Sequence, residues 1–279
     1  MQITITRPTH HGGRWRFAGE CLECGRSEGE ALIRSGVAEA GARAVTVGQA
    51  DGPVRVVLDD RGDVRHLGET IRSVLQSEPR PDRLVMLDDS RDVQRREYLE
   101  EVAALHPGLV EIRRCEAHCG PAAALATLTR DLPPGAVVVE LRCGDALERG
   151  ALAEMLDALR TGGKSFVYGD FIVVDERGRA EMTFRCPPYV PWQFREIGPP
   201  LPVAGVRGYR KELLGGALGG DPGAAARDEL PMRIERILSG RGIEAIGQVL
   251  SRVRLVPGLP GGPGGRAASR AAALEEVCP

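Results

Sequence analysis

The chain has 279 residues, 42% of them hydrophobic and 27% charged, with a formal net charge of -2. That length allows one large domain, or one large and one small domain, and the near-neutral balance argues against nucleic acid or an anionic membrane as the main partner. No run approaches the roughly 18 apolar residues of a transmembrane segment, and Met1–Arg7 lacks the apolar core of an export signal, so a cytoplasmic protein with reduced cysteines is expected.

Residues 1–48 read as a small α+β module. Ile3 and Ile5 alternate with polar neighbours and predict a strand. His11-Gly12-Gly13 is a turn signal, and the alternation of Trp15 and Phe17 after it predicts a hairpin. Ser27 and Glu30 have the spacing of a capping box before Ala31, Leu32 and Ile33, with Gly36 as the stop. Ala44–Val47 predicts one more strand. A module this short buries little surface alone.

Asp51-Gly52-Pro53 marks a boundary, and residues 52–256 then alternate between strand and helix patterns. Val54–Leu58, Leu84–Leu87, Val110–Arg113, Ala136–Leu141, Phe166–Tyr168 and Phe171–Val174 predict strands. Leu67–Gln76, Arg95–Leu105, Pro121–Leu128 and Ala151–Leu159 predict helices. The alternation implies an α/β domain with a mostly parallel mixed sheet flanked by helices. Residues 257–279 form a tail whose first part is rich in Pro and Gly and reads as a linker.

The strand Leu84–Leu87 ends in Asp88-Asp89-Ser90-Arg91-Asp92. In open α/β sheets ligands bind beyond the carboxyl ends of the strands, which makes these side chains candidates for ligand contact. The alternative is that they turn the chain and cap the next helix.

The order of further motifs resembles a family 2 glycosyltransferase of the GT-A fold, from about Val54 to Arg254. Glu69-Thr70-Ile71-Arg72-Ser73-Val74-Leu75-Gln76 resembles that family's E-x-I-x-S-V-L-x-Q helix, and Leu87–Asp92 resembles its V-D-D-G-S-x-D turn without the Gly. His118-Cys119-Gly120 through Ala124 resembles N-x-G-x-x-x-A. Tyr168-Gly169-Asp170 with Val174-Asp175 and Gly178 resembles a Y-G-D…V-D…G hairpin. Arg227-Asp228-Glu229-Leu230 with Arg233 resembles E-D-x-x-L-x-x-R, and Leu250–Arg254 stands where L-Y-x-x-R is frequent.

The resemblance implies an inverting transferase that takes a sugar from a nucleotide-diphosphate sugar, a UDP-sugar first of all, to a hydroxyl on a carbohydrate or protein acceptor. Asp59 or Asp60 would then lie near the base, and Asp88 or Asp89 would accept hydrogen bonds from uracil or ribose, as an acceptor-only carboxylate can. His118 replaces the Asn of the donor loop. Asp228 would be the general base, with helix capping as its structural alternative. Tyr189, Trp192 and Phe194 would form an acceptor wall, or else pack in a core.

The family's metal motif, Asp-x-Asp followed by a further Asp, falls at Arg142-Cys143-Gly144-Asp145, where only Asp145 keeps a carboxylate. Three readings follow. Asp145, with Glu140, holds Mn2+ or Mg2+; or Arg142 neutralises the diphosphate without metal; or donor chemistry has been lost. Leu125-Ala126 replaces a polar Arg-Asn pair, and Asp59-Asp60-Arg61 replaces the usual end of the first strand. These departures also fit a rival reading, a non-catalytic GT-A module for binding or structure in a phage or cell-surface assembly. Cys21 and Cys24 have zinc spacing near His10 and His11, but no second such pair follows.

Overall fold

The structure of the protein is a computed structural model describing residues 2–5, 9–11, 14–16, 21–35, 38–40, 51–59, 64–88, 93–114, 121–186, 205–217, 234, 238 and 242–254. In the N-terminal part, β1 (Gln2–Ile5) lies between β4 (Cys21–Glu23) and β5 (Ala38–Ala40), antiparallel to both. β2 (Thr9–His11) and β3 (Arg14–Arg16) form the hairpin that Gly12-Gly13 predicts. Helix α1 (Arg26–Arg34) starts from Gly25 and no side chain caps it, so the expected capping box is not formed and Ser27 lies inside the helix. Phe17, Gly36 and the strand expected at Ala44–Val47 lie outside the described residues.

In the main part, β6 (Val54–Asp59), α2 (Val64–Leu75), β7 (Arg83–Asp88), α3 (Val93–Leu105), β8 (Val110–Arg114), α4 (Pro121–Thr129) and β9 (Val137–Arg142) alternate. The four strands are parallel, in the order β9-β6-β7-β8. Both faces of this half-sheet are covered, which is why its strands read as unbroken apolar runs. Val56, Leu58, Leu84 and Met86 pack with Leu67, Ile71 and Leu99. Val57, Val85 and Leu87 point the other way, toward Leu125 and Leu128 of α4. Leu125 is thus a core residue, 3% exposed.

β10 (Ala146–Leu147) and α5 (Ala151–Leu156) follow, and α5 widens into a π-helical turn at Asp157–Thr161. Then come β11 (Phe166–Val174), β12 (Ala180–Phe184), β13 (Arg207–Arg210), α6 (Lys211–Ala217) and β14 (Ile243–Arg254). Among the described residues the sheet has nine strands, in the order β10-β14-β11-β13-β9-β6-β7-β8 with β12 paired to β11. This is the mixed, helix-flanked α/β sheet expected from the sequence.

The two strands expected at Phe166–Tyr168 and Phe171–Val174 are one strand, whose register against β14 is irregular at Gly169 and Asp170. The glycine marks a close approach, not a break. A Cβ at Gly169 would stand 2.5 Å from Leu250 Cδ1 and 2.9 Å from the Ile246 carbonyl oxygen. Among the described residues no helix is long and apolar enough to cross a membrane. The tail 257–279 lies outside the described residues.

Candidate functional site at the carboxyl edge of the sheet

The carboxyl ends of β8, β7, β6 and β9 stand side by side. Asp88 is in register with Arg114, and Asp59 with both Leu87 and Arg142. The row Arg114, Asp88, Asp59, Arg142 therefore runs along the edge where α/β sheets bind ligands. Asp88 is 2% exposed, and its Oδ2 lies 3.6 Å from Arg96 Nε and 3.9 Å from Arg114 Nε. Two half-exposed guanidiniums thus offset the desolvation of a buried carboxylate. Arg114 also pairs with Glu100 of α3.

After β9 the chain makes a tight turn. The Asp145 amide donates to the Arg142 carbonyl at 3.1 Å, and Gly144 has φ +94° at the third position, as a type II turn requires. The turn is held from two sides. From α2, Thr70 Oγ1 accepts the Gly144 amide and Ser73 Oγ accepts the Leu147 amide, each at 3.0 Å. From β14, the Arg254 amide donates to Asp145 Oδ1 at 3.0 Å and Arg254 Nε donates to the Gly144 carbonyl at 3.3 Å. The Arg254 guanidinium also reaches the carbonyls of Asp175 and Glu176, at 2.8 and 2.9 Å, and pairs with Glu69.

The carboxylates nearest the expected metal position have other partners. Asp145 is 4% exposed and accepts the Arg254 amide. Glu140 accepts the Tyr209 hydroxyl and lies 3.5 Å from Arg207 Nε. Among the described residues no group of three or more His, Cys, Asp or Glu side chains is arranged to hold a metal ion. Mn2+ and Mg2+ ask for several oxygen ligands, and the described residues at this turn do not fit that need.

Of the remaining expected site residues, Asp59 is placed by its backbone at the end of β6. Asp60, Asp89, His118, Tyr189, Trp192 and Asp228 lie outside the described residues. Downstream of Asp228, Ile234 and Leu238 are helical, and both pack on the core face shared with Val57 and Leu125. Asp170 is a hairpin fastener, accepting the Cys186 amide at 2.7 Å and Arg185 Nη1 at 2.8 Å. The Cys186 thiol donates to the Gly169 carbonyl at 3.0 Å, and burial pushes its pKa up. Asp175 closes the β11–β12 turn, and the Arg179 amide leads the contacts that hold its carboxyl below the usual range. Cys24 is a reduced thiol, and the Cys21 side chain lies outside the described ones.

Sequence reasoning missed the parts played by Arg96, Arg114, Thr70, Ser73 and Arg254. Thr70, Ser73 and Arg254 do fall inside motif-like stretches, and only that placement could have drawn attention to them.

No protein-family model matches the chain, and no curated protein matches its sequence. Solved structures match its fold. S. aureus TarS 1–349 in complex with UDP-GlcNAc superposes with a TM-score of 0.56 at 16% identity, covering 74% of this chain and 59% of that one. GalNAc-T7 with UDP, GalNAc and Mn2+ gives 0.55 at 18% identity, covering 74% and 44%. The mannosyltransferase PcManGT from Pyrobaculum calidifontis, in complex with GDP-Man and Mn2+, gives 0.55 at 17% identity, covering 76% and 60%. The chain thus matches 44% to 60% of the length of these neighbours. At such identity the likeness carries the fold alone, and that fold is GT-A-like, shared with nucleotide-sugar glycosyltransferases.

Proposed function

We propose that the chain is an inverting glycosyltransferase that moves a sugar from a nucleotide-diphosphate sugar, a UDP-sugar first of all, to a hydroxyl acceptor. The observation that carries the reading is the charged row at the carboxyl edge, in which Asp88, Asp59 and Arg142 end three adjacent parallel strands of a GT-A-like sheet. Neighbours of that fold hold UDP-GlcNAc, UDP or GDP-Man. Asp59, Asp60, Asp88 and Asp89 would contact the nucleoside, His118 the donor, Arg142 the diphosphate, and Tyr189 and Trp192 the acceptor.

The reaction is a single displacement. The acceptor oxygen bonds to the anomeric carbon as the bond to the nucleoside diphosphate breaks. Asp228 takes the acceptor proton, which needs hydrogen-bond reach to that hydroxyl.

The test is thermal unfolding of the full chain with saturating UDP, with GDP as the comparison, followed by transfer assays on wild type and Asp228→Asn. A ligand at 100 times its dissociation constant adds about 2.7 kcal/mol, which for this size raises Tm by roughly 5–10 °C. The expected result is a UDP-dependent rise in both proteins and loss of transfer only in the variant. A GDP-selective rise would change the donor. No rise with either nucleotide would favour a non-catalytic module on the same fold.

A further inference from the structure

We infer that this chain holds the diphosphate of its donor without a divalent cation, with the guanidinium of Arg142 supplying the counter-charge. The inference rests on the nucleotide-sugar reading and deepens it.

The backbone of the turn is the first observation. Gly144, which stands where the resemblance places a metal-binding Asp, has φ +94°. A Cβ there would meet nothing nearer than His66 Cβ at 3.9 Å, so room is not the obstacle. The conformation is the obstacle, because a residue with a side chain rarely adopts that φ. The third position of this turn therefore selects glycine, and a carboxylate is lost from the backbone upward.

The second observation is the use made of the nearby carboxylates. Asp145 fastens the turn to β14 through the Arg254 amide, and Glu140 is buried against Tyr209 and Arg207. Both carboxylates thus already serve buried contacts, and a cation would have to share them.

The third is the sign and fixity of what remains. Arg142 ends β9, partly exposed, and its carbonyl closes the turn that Thr70, Ser73 and Arg254 hold in place. A metal ion directly beside the Arg142 guanidinium would meet a like charge. A diphosphate would meet a planar guanidinium that is always protonated and can pair with two phosphate oxygens at once. Because the backbone that carries it is fixed, the side chain alone is left to order on binding.

The experiment is a calorimetric titration of the full chain with UDP and with GDP, in EDTA and in excess Mn2+. Binding of Mn2+ alone is followed separately by the paramagnetic resonance of the free ion. Expected are dissociation constants that agree within about twofold between EDTA and Mn2+, and no uptake of Mn2+ by the protein. Arg142→Gln should weaken the nucleotide by about tenfold or more, while Arg142→Lys keeps part of the affinity. The Tm of each variant reports whether it is folded. Nucleotide binding that needs Mn2+, Mn2+ uptake by the protein, or full affinity in a folded Arg142→Gln would overturn this inference and leave the transferase reading standing. No binding of either nucleotide in both conditions would overturn the two together.

Discussion

The carboxylate of Asp145 accepts the backbone amide of Arg254 at 3.0 Å, and this joins the turn after β9 to the last residue of β14. The bond gives Asp145 a structural task at the position where a metal ligand was expected. Asp145→Ala leaves a buried amide unpaired, at a cost of about 1–3 kcal/mol. Asp145→Asn keeps an acceptor oxygen and should cost less. Urea unfolding of the two variants measures the difference. An Asn variant as unstable as the Ala variant would mean that the charge, not the acceptor, is what the turn needs.

The Arg254 side chain is 2% exposed and Glu69 is 41% exposed, so the two ends of their pair are unequal. Glu69→Gln removes a charge that water can partly replace, and should cost under about 1 kcal/mol. Arg254→Met leaves the carbonyls of Gly144, Asp175 and Glu176 without their donor, and should cost about 3 kcal/mol or more. The Met variant should also lose some nucleotide affinity, because the turn that begins at Arg142 loses the side-chain bond to the Gly144 carbonyl and keeps only the amide bond to Asp145. Equal unfolding free energies for the two variants would contradict the hub role given to Arg254.

Gly169 tests the reading of the β11–β14 contact as a close approach. Gly169→Ala puts a methyl group against Leu250 and the Ile246 carbonyl, and overpacking of this kind costs about 1–3 kcal/mol. Leu250→Ala in the same chain makes room on one side, so the double variant should be less destabilised than the sum of the two single ones. Additive losses would argue that the strand is limited by the backbone contact with Ile246 alone.

How much was legible follows from how local each signal is. The runs Val54–Leu58 and Leu84–Leu87 declare themselves, because strands covered on both faces are apolar throughout. Asp88 was legible too, since a carboxylate ending such a run stands at the sheet edge. The continuity of β11 was not, because Gly169-Asp170 reads as a break until Leu250 is seen beside it. Ser27 and Glu30 had the right spacing for a cap, yet the helix begins at Arg26, two residues before the start that a Ser27 cap would set. The anchoring of the turn was the least legible feature. Arg254 meets Glu69 across 185 positions and Asp145 across 109, and no local pattern encodes such pairs. Glu140 stands in the apolar run Val137–Leu141, and only the register of β13 on β9 supplies Arg207 and Tyr209 beside it.

On the face covered by α4, Asp131 joins two arginines from neighbouring parts of the parallel sheet. Arg55 grips both of its oxygens, at 2.7 and 3.1 Å, and Arg113 Nη1 lies 2.8 Å from Oδ1. These contacts, Arg55 first and Arg113 second, hold the Asp131 carboxyl well below the usual range. A depressed carboxylate stabilises the fold fully above its unfolded value of about 3.9, and the contribution fades as pH falls through the lower folded value. Asp131→Asn should therefore be less stable than wild type at neutral pH, by about 1–2 kcal/mol. The figure is kept small because the Asp131 side chain is 48% exposed and water screens it. From about pH 4 downward the two proteins should draw together, meeting only once pH has fallen through the lower folded value. Urea unfolding across that acid range is the measurement, and curves that stay parallel would remove Asp131 from the acid response.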